Sequence, residues 1–350
     1  MDTISSNISR RSLLKGIGPA VAGGAAMLGA AHLALSQSAP AKPMSGKIWS
    51  GEYWAHRDDL KLYMYRKRAG APKAGKETRP VLFLTHGSSV SSRSSFDLTV
   101  PGHGEYSLMD VFASYGFDVW TMDFAGYGRS TWPKDNSDIA DGVKDLEAGT
   151  AVMMRETGQD RFNYYGESSG GLRAGAFAMA SPERVNRLCL VSFTYTGKGS
   201  PTLTKRADMA EYLRTHNRRP RGRKMIRSIF TRDKPGTSDP AVAEAMANAE
   251  LKFGASCPTG TYLDMVANLP IVDPIKVLCP VLIMRGQYDG IATLQDVLNF
   301  FEKLPNFDRW FVMIPGASHA VALGVNRRLL WHAMRAFLDE PPRLDVPQKS

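Results

Sequence analysis

Three cysteines in 350 residues are too few for a disulfide framework, and Cys189, Cys257 and Cys279 show no C-x-x-C spacing. One optional disulfide stays open, with no connectivity legible. The seven histidines include no H-E-x-x-H or comparable ligand pair, so no metal site is expected, and no cofactor either. Zinc-finger spacing, a basic zipper and an RNP-like aromatic motif are all missing. The formal charge of +10 therefore does not point to a nucleic-acid partner. No internal repeat or long low-complexity tract is visible.

What is present begins with a core-forming composition. At 43% hydrophobic residues, a chain of this length can bury either one large α/β domain with an insertion or two domains. Ser9-Arg10-Arg11-Ser12-Leu13-Leu14-Lys15 precedes a Gly/Ala-rich, weakly apolar stretch that runs to Leu35 and gives way to Ser36-Gln37-Ser38-Ala39-Pro40. This resembles a twin-arginine export signal with Leu13 in the usual Phe position and a small-residue cleavage region. It implies that the precursor meets the twin-arginine export machinery and that the mature chain is periplasmic or secreted, without stable membrane insertion. An uncleaved anchor is the competing reading, since about 20 residues can span a bilayer. Residues 1–38 are set aside from the fold.

Lys47–Ala55 and Lys61–Arg68 alternate apolar with polar residues, as paired antiparallel strands do. Pro80–Thr85, Phe117–Met122, Arg161–Tyr165, Arg187–Ser192, Pro280–Arg285 and Trp310–Ile314 are short apolar runs, the mark of strands buried on both faces. Helical spacing separates them at 138–156, 172–180, 294–304 and 325–338. Eight strands interleaved with helices predict an α/β fold: a doubly wound, mostly parallel eight-stranded sheet with helices on both faces. The interval 198–270 breaks the rhythm. It is helix-prone and basic and predicts an inserted helical cap between a first core part, 39–197, and a second, 271–350.

Gly166-Glu167-Ser168-Ser169-Gly170 matches G-x-S-x-G, in which a strand turns abruptly into a helix and presents the central serine on the turn. A serine needs a base to take its proton and an acid to orient that base. Asp289, in Gly286-Gln287-Tyr288-Asp289-Gly290, follows one apolar run, and His319, in Pro315-Gly316-Ala317-Ser318-His319, follows the last. Both sit beyond the carboxyl ends of strands, where open parallel sheets gather ligands. Asp296 and Asp264 compete with Asp289, although Asp296 falls inside a helical pattern. Ser168 as a plain helix cap and His319 as a hydrogen-bonded loop histidine are the alternative readings.

With these motifs in this order, residues 48–340 resemble the α/β-hydrolase superfamily. Thr85-His86-Gly87-Ser88 is similar to its His-Gly oxyanion loop, and Asp123-Phe124-Ala125-Gly126-Tyr127-Gly128-Arg129-Ser130 to its D-x-x-G-x-G-x-S loop. Phe96-Asp97-Leu98 through Gly126–Ser130 is also similar to a subgroup of bacterial carboxylesterases that includes monoalkyl phthalate ester hydrolases. The resemblance implies Ser168, His319 and Asp289 as a catalytic triad, with the backbone N–H groups of Ser88 and Ser169 as the oxyanion hole. His86 is then structural, and Asp123 and Arg129 fix the glycine loop.

The expected activity is hydrolysis of a carboxylic ester of a small or medium-sized soluble molecule through an acyl-enzyme. Hydrolysis of a carbon–carbon bond in a diketone on the same triad is the alternative within enzymes, and an inactive binding protein of this fold the alternative outside them. A lipase lacks support because no long apolar lid segment stands out, and Glu244 alone does not argue for an aminopeptidase. The cap holds 13 Lys or Arg against 7 Asp or Glu, most of the excess from Arg214 to Lys234. Either this is a solvated outer face, or one or two of the arginines reach the pocket and hold a substrate carboxylate.

Overall fold

The computed structural model describes residues 46–73 and 78–339. The segment 1–38, read above as an export signal, lies outside them. Among the described residues ten strands and eleven α-helices follow in chain order: β1 Ile48–Arg57, β2 Leu60–Ala69, β3 Val81–Thr85, α1 Ser92–Phe96, α2 Leu108–Ser114, β4 Asp118–Met122, α3 Ile139–Thr157, β5 Phe162–Glu167, α4 Ser169–Ala180 and β6 Val185–Val191. Then come α5 Pro201–Ala207, α6 Ala210–Thr215, β7 Arg218–Pro220, α7 Arg223–Thr231, α8 Pro240–Glu250, β8 Ser256–Pro258, α9 Gly260–Leu263, β9 Val281–Gly286, α10 Leu294–Phe301, β10 Arg309–Ile314 and α11 Arg327–Asp339.

Eight strands form one sheet in the order β1-β2-β4-β3-β5-β6-β9-β10. β1, β2 and β4 pair antiparallel in sequence. From β4 to β10 every pairing is parallel. The chain is an α/β hydrolase in fold. Side chains of α3, α4 and α10 join the core on one face of the sheet, and those of α2 and α11 join the core on the other. β3, β4 and β9 are buried along their whole length, which is why their sequences run apolar without alternation. β10 differs from the expectation of burial on both faces. Among the described residues it has a neighbour on one side only, and Trp310 and Met313 keep partial exposure.

The interval 198–270 holds five short helices, α5 to α9. It also holds an antiparallel pair, β7 with β8, that helix-prone composition did not announce. A third apolar cluster seats it: Ile226 and Phe230 of α7 and Val242 and Met246 of α8 pack on Val90, Leu98, Ala320 and Leu323 from loops of the sheet. Short α1 and α2, also missed in the sequence pattern, carry part of the same loops. All three cysteines are buried and unpaired, as small apolar side chains. Among the described residues no helix is long and apolar enough to cross a membrane.

Candidate active site

Chain order reverses around β3. The chain steps from β3 outward to β4, then crosses back to β5 on β3's other side. Ligand crevices in such sheets open at this switch point, and Thr85 at the end of β3 lies opposite Gly166 near the end of β5. The loops carrying Ser88 and Ser168 are therefore neighbours by topology.

The turn at Ser168 is backbone-strained. Its φ of 58° and ψ of −125° are sparsely populated for a residue with a side chain. Ser168 N–H donates to Val191 O, and Gly171 N–H to Ser168 O, both at 2.9 Å. Thr85 Oγ1 donates within reach of Tyr165 O and Gly170 O, clamping both sides of the turn. The flanking glycines are required sterically: a Cβ on Gly166 would lie 2.4 Å from Gly170 O, and one on Gly170 2.2 Å from Thr85 O. Ser168 cannot be a side-chain helix cap here, since its hydroxyl caps nothing on α4.

Three of the nominated side chains meet. Ser168 Oγ lies 3.0 Å from His319 Nε2, and His319 Nδ1 lies 2.9 Å from Asp289 Oδ1. An ionised carboxylate only accepts, so Nδ1 carries the hydrogen and Nε2 accepts from the serine hydroxyl. Asp289 is buried, which pushes its carboxyl up. His319 and the N–H groups of Ile291 and Ala292 outweigh that and hold it below the ordinary carboxylate range. Arg285 braces the loop by donating to Asp289 O and Ala292 O. Ser192 Oγ donates to His319 O at 2.7 Å, and His319 N–H to Asp233 Oδ2 at 3.3 Å.

The competing aspartates have structural partners instead. Asp296 accepts from Tyr195, Thr196 and Gly197 N–H and closes the loop leading into the cap. Asp264 accepts from Ile139 N–H at the start of α3 and from Asn268. His86 accepts from Phe124 N–H, and its Nδ1 faces Gly87 O. Burial, reinforced by Arg173, lowers it to about 3, so it is a neutral brace. Asp123 accepts from Ser92 and from Arg129 N–H, whereas the Arg129 guanidinium reaches Glu52. Arg129 thus fixes the glycine loop through its main chain rather than its charge.

Ser169 is buried at the first position of α4, where an N–H has no acceptor within its own helix. Its Oγ lies 2.6 Å from Ser88 Oγ. Ser88 O accepts from Tyr127 OH, and Ser89 Oγ lies 2.6 Å from Tyr262 OH of the cap. The loop is held further out as well: buried Glu250 accepts from Ser91 N–H and Oγ and pairs with buried Arg221, which donates to Ser89 O.

Ser168 and His319 line a cavity together with residues of the interval 198–270. Phe230, Met246 and Leu323 make its apolar wall, and Arg206, Arg232 and Glu167 bring charge into it. Sequence reasoning missed Glu167, although it stands inside the G-x-S-x-G motif. Burial raises its carboxyl to about 7, and Tyr165 OH donates to it at 3.2 Å. Arg206 and Asp233 carried no local signal. Glu244 lies away from this cavity, paired with Arg223 and Arg227. Among the described residues no cluster of His, Cys, Asp or Glu could hold a metal ion.

Comparison with known proteins gives three kinds of match. A family model described as serine aminopeptidase, S33, matches residues 99–324. A 2-hydroxy-6-oxononadienedioate/2-hydroxy-6-oxononatrienedioate hydrolase of Paraburkholderia phymatum is 34% identical over 37% of this chain and 39% of that protein. Lipase 3 of Drosophila melanogaster is 33% identical over 29% of this chain and 27% of that protein. The matches thus span less than half the length of these curated relatives. The crystal structure of a 2-hydroxy-6-oxo-6-phenylhexa-2,4-dienoate hydrolase from Rhodococcus sp. strain RHA1 superposes with a TM-score of 0.60 at 17% identity, covering 84% of this chain and 99% of that one. At that identity the likeness is one of fold.

Proposed function

The chain belongs to the serine aminopeptidase S33 family of α/β hydrolases, and from that premise we propose that it hydrolyses carboxylic esters of small or medium-sized soluble molecules. One observation carries the reading: an unbroken hydrogen-bonded line, Ser168 to His319 to Asp289, ends at an open cavity.

In this mechanism His319 Nε2 takes the hydroxyl proton as Ser168 Oγ attacks the ester carbonyl, while ionised Asp289 holds the imidazole and stabilises its charged form. The N–H groups of Ser88 and Ser169 receive the oxyanion, a contribution of several kcal/mol for such a pair. His319 then returns the proton to the departing alcohol, and water, activated by the same histidine, releases the acid.

The family description names aminopeptidases, whose substrates carry an ammonium group. Two guanidiniums beside a carboxyl that burial pushes up to about 7 are a poor receptor for a cation. An ester, neutral or anionic, suits that wall better. The dioate hydrolase relative favours a second reading, cleavage of a carbon–carbon bond in a diketone by the same residues.

A 4-nitrophenyl ester series, run with and without a serine-directed phosphonate, separates these. Phosphonate-sensitive ester turnover is expected. Labelling of Ser168 with turnover of a diketone alone would favour the second reading, and no labelling would make the protein a binding module. We also propose export by the twin-arginine route, supported by Ser9–Lys15. Changing Arg10 and Arg11 to Lys should leave the chain in the cytoplasm, and amino-terminal sequencing of periplasmic protein should find a start between Gln37 and Lys42. Recovery of a full-length membrane-embedded chain would overturn this.

A further inference from the structure

His319 is gripped by segments far apart in the chain. Its ring faces Asp289 and Ser168, and its carbonyl accepts from Ser192 Oγ, all from loops just beyond β9, β5 and β6. Its N–H has a partner of another origin: the carboxylate of Asp233, in the interval 198–270, at 3.3 Å.

Asp233 is no ordinary surface carboxylate. Only 3% of its side chain is exposed, and Arg232 Nε, 3.5 Å from Oδ1, makes no hydrogen bond to it. A buried carboxylate needs donors, and the main chain of the histidine supplies one. The other oxygen packs against the loop of the acid. A Cβ on Gly290, next to Asp289, would lie 2.6 Å from Asp233 Oδ1. One carboxylate thus touches the loops that carry both partners of Ser168.

The residues after Asp233 are tied to the same two loops. Thr237 Oγ1 lies 2.8 Å from Ser318 Oγ, and Val325 N–H donates to Thr237 O at 3.0 Å. Lys234 Nζ stands 5.6 Å from the Tyr288 ring. The residues before it, Ile229, Phe230 and Arg232, line the nucleophile's cavity, which Asp233 itself does not. Cavity wall and histidine clamp are therefore consecutive in sequence, at Arg232 and Asp233. A histidine base acts only in register, with Nε2 on the hydroxyl and Nδ1 on the acid, and a displacement of about 1 Å can cost on the order of 10²-fold in rate.

We propose that Asp233 is a positioning residue for the triad: its buried carboxylate, accepting from His319 N–H, ties the base to the cavity wall of Ile229, Phe230 and Arg232. The proposal rests on the triad mechanism above and holds whether an ester or a carbon–carbon bond is cleaved. Asp233 acts through His319 and meets no reacting atom.

The test uses 4-nitrophenyl butyrate with Asp233→Ala, Asp233→Asn and Gly290→Ala. Alanine removes the acceptor, and should lower kcat by about 10- to 100-fold with KM little changed. Asparagine keeps an acceptor oxygen and should retain most of kcat. A native kcat in the alanine variant overturns the proposal, as does an asparagine variant equally slow. Gly290→Ala leaves every partner in place but drives its methyl onto Asp233 Oδ1, so it should also lower kcat. Combined with Asp233→Ala it should add little, because the group it displaces has gone. Losses that multiply in the double variant overturn the proposal. Should Asp233→Ala not fold, the other two variants decide, a slow Asp233→Asn or a native kcat in Gly290→Ala overturning it.

Proton NMR reads the same register without turnover. The Nδ1–H that His319 shares with Asp289 gives a low-field resonance, identified by its loss in His319→Ala. It should persist in Asp233→Asn and shift or broaden in Asp233→Ala, and an unchanged line in both overturns the proposal. If the native protein cleaves no ester while this pattern is seen, the ester reading falls and the positioning role stands.

Discussion

Ser88 Oγ and Ser169 Oγ stand 2.6 Å apart, joining the loop after β3 to the first turn of α4. The bond pins together the two main-chain segments proposed to receive the oxyanion, while the neighbouring Ser168 hydroxyl turns the other way, to His319. The adjacent serines therefore do different work. Ser168→Ala should cut kcat on the order of 10⁶-fold, as loss of a triad serine does. Ser169→Ala keeps its N–H and loses one neutral hydrogen bond, so it should cost about 1 kcal/mol of stability and far less activity. Steady-state kinetics with thermal melts check both, and equal loss of activity in the two variants would sink the assignment.

Asp289→Asn should preserve the fold yet lower kcat by roughly 10⁴-fold, because an amide facing Nδ1 favours the tautomer that leaves Nε2 protonated and unable to accept. Rate measurements on folded protein, verified by circular dichroism, decide it. Asp296→Asn and Asp264→Asn, whose carboxylates serve loop and helix N–H groups, should instead lower the melting temperature.

Glu167 ties pH to both stability and substrate charge. Its carboxyl titrates near 7 in the folded chain against an ordinary 4.5, so between those values the folded state holds the extra proton. The stability it contributes is complete below about pH 4.5 and lost as pH rises through about 7. Once ionised it also faces any anionic substrate in the cavity. For 4-nitrophenyl hemiglutarate against its methyl ester, the ratio of kcat/KM, in which the shared base His319 cancels, should fall as pH passes about 7. Glu167→Gln should flatten both curves; an unchanged ratio profile in that variant would remove Glu167 from the account.

Glu250→Ala strips the counter-charge from buried Arg221 and two hydrogen bonds from Ser91. Breaking one side of such a pair costs about 3–5 kcal/mol, readable as a lower urea midpoint. Replacing both Arg221 and Glu250 with Met should recover part of that loss. A double variant as unstable as the sum of the singles would mean the pair is not coupled.

Local demands are what made the chemistry legible in the chain itself. A strand-to-helix turn needs Gly166 and Gly170 because backbone atoms stand where a Cβ would go, and that requirement is met within five consecutive residues. β3, β4 and β9 show as continuous apolar runs because both of their faces are covered. β10, at the sheet's edge, carries a similar run without that burial, so composition alone did not separate edge from centre. The short α1 and α2 and the β7–β8 pair are held by contacts with distant segments and leave little periodicity to read.

Charge was the part that only the tertiary structure decided. Asp264, Asp289 and Asp296 are the same residue type in plausible places, and what separates them is whether His319, 30 residues beyond Asp289, or a set of backbone N–H groups arrives beside the carboxylate. The arginines of this interval divide in the same way: Arg221 meets Glu250 across 29 residues, whereas Arg206, outside the densest basic stretch, makes no ion pair among the described residues and stands over the Tyr262 ring. An ionisable side chain takes its character from groups that folding brings within a few ångströms, and sequence spacing does not encode that distance.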